Sequence, residues 1–100
     1  MADPDEEEWP WDQTRNTATV TTRQVLSGSP VTMVIHYSDD HSWAFLGGEH
    51  FTLEDGALVC MAEIPSRDST LSEVSDLEPG WVARREYVGG VWTREFDPEV

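Results

Sequence analysis

Residues 31–48, VTMVIHYSDDHSWAFLGG, decide the fold class. Residues 31–37 are rich in β-branched and apolar side chains and predict a central strand; residues 43–46 predict its neighbour, stopped by Gly47-Gly48. The five residues between them, SDDHS, have a common hairpin length and the Asp-rich chemistry of a turn. An antiparallel pair near the middle of the chain is therefore the seed around which the rest is placed.

Working outward, residues 17–22 (TATVTT) predict a strand and residues 23–26 a short helical turn, closed by Ser27-Gly28-Ser29-Pro30. Residues 49–56 predict a loop or turn. Residues 57–63 predict a buried strand in which Cys60 is a small buried hydrophobe. Thr70-Leu71-Ser72-Glu73 has the form of a capping box, with the Thr70 hydroxyl accepting from the Glu73 amide. Leu71, Val74 and Leu77 then share one helical face before Pro79-Gly80 ends the segment. These elements predict an α+β fold: an antiparallel sheet of about five strands with one or two short helices packed on one face.

The last segment predicts a hairpin, residues 81–88 and 91–96 about a two-residue Gly89-Gly90 turn. That turn sets Arg85 opposite Arg94, Tyr87 opposite Trp92 and Arg84 opposite Glu95. Alternation then gathers Trp81, Ala83, Arg85, Tyr87, Trp92, Arg94 and Phe96 on one face. Two facing guanidiniums need an anion, supplied by Asp76, Glu78 or Glu63 folding over them or by a partner's carboxylate. Stacking on Trp92 or Tyr87 would orient the forks.

The 100 residues suit one domain. Residues 16–97 are expected to form it, between a disordered acidic arm over residues 1–15 and a tail over residues 98–100. The arm holds six acids against Arg15. Trp9 and Trp11, bracketing Pro10, either belong to a plain solubilising tail or form a motif that docks on a partner or folds back on the domain. Twenty acids face six arginines and no lysine, for a net charge of −14. Such a surface is repelled by nucleic acid and by anionic membranes, and it steers basic proteins inward. The acidic N-terminus and the lack of a long apolar run predict a soluble, cytoplasmic protein.

Candidate chemistry is sparse. His36, Asp39, Asp40 and His41 lie within six residues, with Glu49 and His50 nearby, and imidazole plus carboxylate could suit a divalent metal in a small metal-dependent hydrolase. Their spacing matches no zinc signature, and neither a nucleophile elbow, a phosphate loop nor a dinucleotide fingerprint occurs, so neither a cofactor nor catalysis is expected. A single cysteine permits no internal disulfide.

Thr21-Thr22-Arg23-Gln24-Val25-Leu26, residues 39–48 (DDHSWAFLGG), residues 77–85 (LEPGWVARR) and residues 91–95 (VWTRE) resemble a group of small uncharacterised bacterial proteins over about residues 17–96. That group is similar to the immunity-protein domains of bacterial polymorphic-toxin systems. The resemblance implies action by binding, with no catalytic residues. Together with the charge, it predicts a non-enzymatic module that holds a basic protein through an acidic and aromatic surface, with Asp39, Asp40, Trp81, Arg85, Trp92 and Arg94 as contacts.

Overall fold

In the computed structural model, which describes residues 9–47 and 52–100, the central hairpin forms as the sequence predicts. Strand β2 (Met33–His36) pairs antiparallel with β3 (Trp43–Leu46), Met33 opposite Leu46 and His36 opposite Trp43. Residues 1–8, with most of the expected arm, and Gly48, Glu49 and His50 lie outside the described residues.

The sheet that grows from this pair differs from the expected one. Among the described residues it has six strands rather than about five, in the order β4-β1-β3-β2-β5-β6, and it is mixed rather than antiparallel. β1 (Ala18–Thr22) runs parallel to β3, while β4 (Gly56–Cys60) is antiparallel to β1. β5 (Trp81–Arg84) is antiparallel to β2, and β6 (Thr93–Phe96) to β5. The β2–β3 hairpin inserts β3 between β1 and β2, and buried hydroxyls fasten it there. Thr19 Oγ1 donates to Trp43 O at 2.6 Å and Thr21 Oγ1 to Phe45 O at 2.8 Å. The alternation of TATVTT thus turns its threonines inward as cross-strand donors, which β-propensity alone does not distinguish.

α1 (Arg23–Leu26) is the predicted single turn, with the Thr22 hydroxyl accepting from the Val25 amide at 3.3 Å. The other helical pieces are 3₁₀ turns at residues Leu53–Asp55, Met61–Glu63 and Ser69–Val74. The predicted capping box is replaced by an earlier cap. Asp68 caps the last turn, accepting from the Thr70 amide at 2.9 Å, and the Thr70 hydroxyl also donates to it. Leu71, Val74 and Leu77 are nonetheless buried. With Met61 and Ile64 they cover the sheet face carrying Val34, Trp43, Phe45 and Ala83. The opposite face carries a smaller cluster of Ile35, Ala44, Leu46 and Val82, against which Tyr37 and Val100 pack.

Three further expectations are corrected. Cys60 is exposed rather than buried, because β4 is an edge strand and ends there in a 3₁₀ turn whose Met61 enters the core instead. The terminal hairpin is shifted by two residues: Ala83 faces Arg94 and Arg84 faces Thr93, so Arg85 does not oppose Arg94. The shift follows from Arg85, whose amide bonds Thr32 O at 2.9 Å and whose Nε bonds Val31 O at 3.0 Å, tying it to the chain before β2. The turn then falls on residues 87–90, with Gly90 N bonded to Tyr87 O and Gly89 at φ +86. A shift of two keeps every side chain on its predicted face. Arg84 accordingly still meets Glu95, now diagonally across the ladder.

The third correction concerns the arm. Trp11 is buried, edge-on to Trp43 at 4.8 Å and to Phe45 at 5.4 Å, so this part folds back onto the domain. The C-terminal residues are docked as well: Ser38 Oγ donates to Val100 O at 2.7 Å.

Candidate functional site at one end of the sheet

The registers place His36 opposite both Trp43 and Trp81, and Trp81 opposite Phe96. Four strand ends are therefore aligned in a row, and the segments 37–42, 75–80 and 97–100 emerge side by side. Backbone bonds knit them together. Gly80 N donates to His36 O at 2.7 Å, and Asp97 N to Gly80 O at 2.9 Å. The refolded N-terminal segment joins them, with Trp43 Nε1 donating to Asp12 Oδ1 at 2.7 Å and Gln13 Nε2 to His41 O at 2.9 Å.

This convergence collects carboxylates from four separate stretches: Asp12, Asp39 and Asp40, Glu78, and Asp97 with Glu99. Phe96, 61% exposed, and the half-buried Trp81 lie beside them with rings 6.2 Å apart. None of these six acids meets an arginine. Five of the six arginines are spent on other acids: Arg23 on Asp55, Arg67 on Glu63, Arg84 on Glu95, Arg85 on Asp68 and Arg94 on Asp76. Arg15 lies over the Trp9 ring, 4.5 Å from its centroid.

Within the turn, Asp39 accepts from the Asp40 amide and Asp40 from the Ser42 amide, and His41 takes a left-handed φ of 59 to close it. Hydrogen bonds from Ser42 hold the Asp40 carboxyl below its ordinary range, so it stays charged. Burial first, then the charges of Asp39 and Asp40, push the Tyr37 hydroxyl up and keep it protonated.

Of the residues predicted as contacts, Asp39, Asp40 and Trp81 come together here. Arg94 lies at the margin, bonded to Asp76 at 2.8 Å and to Glu73 O at 2.8 Å, so Asp76 is its compensating acid, as considered from sequence. Arg85 is compensated by Asp68, not by Glu63 or Glu78. It bonds Asp68 at 2.7 Å and Thr70 Oγ1 at 2.7 Å, and stacks over Trp92 at 4.2 Å. Its side chain is fully buried and has no surface to offer a partner. Burial pushes the Asp68 carboxyl up, but the hydrogen bonds from Thr70 and Arg85, with the Arg85 charge, outweigh it and hold that carboxyl low.

His36 is turned into the protein. It stacks on Trp43 at 3.9 Å, its Nδ1 donates to Leu77 O at 2.7 Å, and its Nε2 lies 2.9 Å from Asp12 Oδ2 without hydrogen-bond alignment. His41 is exposed, its ring 5.8 Å from that of His36. Among the described residues no group of three or more His, Cys, Asp or Glu is placed to hold a metal ion, and the pattern 36, 39, 40, 41 does not converge.

Sequence reasoning did not single out Asp12, Phe96, Asp97 and Glu99 as contacts, and it named Glu78 only beside Asp76 and Glu63 as an acid that could fold over the arginines. The signal that finds them is the alignment of strand ends, which needs the register. Comparison of the chain with models of protein families, with curated proteins and with solved structures finds no match.

Proposed function

We propose that this chain is a non-enzymatic protein-binding domain that takes a basic partner at the acidic end of its sheet. The observation that carries the reading is the gathering of six carboxylates, none bonded to arginine, around an exposed Phe96 and a half-buried Trp81. Acidic charge gathered without arginine partners draws in a cationic surface and is complemented by it on docking. Phe96 and Trp81 supply apolar contact inside the charged rim, the usual anatomy of an interface centre. An immunity-like role, as the sequence resemblance implies, fits a partner that is itself strongly basic.

The test is capture of partners from the native cell extract by the full chain and by the triple variant D39K/D40K/E78K, at low and at high salt. The expected result is a basic protein retained by the parent at low salt and lost on the variant and at high salt. Equal capture by both proteins, or no capture by either, would count against the reading.

A further inference from the structure

His36 is buried, its side chain 4% exposed, and both of its ring nitrogens face acceptors. Nδ1 lies 2.7 Å from Leu77 O, a carbonyl that can only accept, so Nδ1 carries a proton. Nε2 lies 2.9 Å from Asp12 Oδ2, and among the described residues no donor reaches it. A neutral imidazole has a single N–H, and here Nδ1 holds it. The neutral ring would therefore turn a bare lone pair on a carboxylate from a buried position.

Neither partner is free to turn aside. Asp12 Oδ1 accepts from Trp43 Nε1 at 2.7 Å, and the neighbouring Trp11 is packed edge-on to Trp43. The imidazole is stacked on Trp43 at 3.9 Å and bonded to Leu77 O. The segments packed round it bring further charges. The 37–42 turn carries Asp39, Asp40 and the exposed His41, whose ring is 5.8 Å away. Residues 75–80 carry Glu78 and Asp76, the latter already bonded to Arg94, and the C-terminal residues carry Asp97 and Glu99. β3 and β5 set the uncharged Trp43 and Trp81 opposite His36. Acids outnumber bases here, and Asp12 is the one in contact with the ring.

We infer that His36 is an imidazolium while residues 9–13 are docked, and that its second proton latches Asp12, making the N-terminal segment a strap that loosens as pH rises. With that proton, Nε2 and Oδ2 belong to opposite charges, whose attraction at 2.9 Å does not need the hydrogen-bond alignment the contact lacks. Without it, attraction gives way to repulsion between a lone pair and a carboxylate. The strap is therefore tight where His36 is protonated and Asp12 charged, and loose once His36 is neutral. The packing of Trp11 on Phe45 is apolar and indifferent to the proton, so loosening starts at Asp12 rather than expelling the whole segment. The latch operates without a partner and is independent of the proposed binding function.

The test is a pH titration of the full chain by NMR, reading the histidine ring nitrogens and the Trp43 indole N–H, beside D12N and H36Q. The expected parent shows both His36 nitrogens protonated at the acid end of the titration. As Nε2 loses its proton, the Trp43 indole signal moves with the same midpoint, and its exchange, corrected for the intrinsic pH dependence, quickens by about threefold or more. In D12N the midpoint of His36 shifts to lower pH and the indole signal no longer follows it. H36Q, which cannot take a second charge, removes the pH dependence of the indole signal. A His36 ring protonated on Nδ1 alone across the titration overturns the inference. So does an indole signal that ignores the His36 transition, or a D12N midpoint equal to the parent's. D12N alters a side chain that is 41% exposed; should H36Q fail to fold, the parent and D12N decide.

Discussion

Arg85 is the side chain on which most of the C-terminal half depends. Its guanidinium has no exposed surface and joins the loop before β2, the Asp68 cap and the Trp92 ring. Arg85→Met leaves Asp68 half-buried without its counter-ion, and a loss of about 3–5 kcal/mol is expected in denaturant unfolding. Arg85→Lys should recover only part, because an ammonium cannot fork to Asp68, Thr70 and Val31 together. The same pair sets an acid limb. The Asp68 carboxyl is lower in the folded than in the unfolded chain, so its contribution is complete above the unfolded value near pH 4 and is lost as pH falls through the folded one. Asp68→Asn should therefore lower stability at pH 7 and flatten its decline below about pH 4, read from thermal melts across pH.

The segment at residues 9–13 acts at the scale of an element. It has no helix or strand of its own, yet Trp11 fills the space beside Trp43 and Phe45, and Asp12 and Gln13 bond the end of the sheet. Trp11→Ala is expected to remove about 3–5 kcal/mol. Hydrogen exchange should then rise first in β3 and in the 37–42 turn, where the segment's bonds end. A loss spread evenly over all strands would argue against that placement.

Over the whole molecule, charge is arranged rather than scattered. Arginines neutralise acids around the middle and the far end of the sheet, and Arg94 neutralises Asp76 at the margin of the near end, while Asp39, Asp40 and Glu78 at that end have no arginine partner. Neutralising Asp39 and Glu78 there with D39N/E78Q should raise the melting temperature at low ionic strength while weakening partner capture. The gain should fade as added salt shortens the Debye length to about 3 Å near 1 M. A fall in melting temperature at low salt would show these acids to be structural.

Local sequence determined the elements and little beyond them. The central hairpin, the strand in TATVTT, the turn at residues 23–26 and the buried Leu71, Val74 and Leu77 follow from propensity and periodicity, which act between near neighbours. Even the face carrying Arg85, Arg94 and Trp92 survived a two-residue shift, because side-chain direction depends only on parity. Tertiary structure alone decided that β3 enters beside β1, that Asp68 rather than Glu78 answers Arg85, and that six distant carboxylates share one end. Those choices rest on long-range contacts such as Thr19 to Trp43 and Arg85 to Val31, whose partners lie 24 and 54 residues apart. No local pattern encodes them.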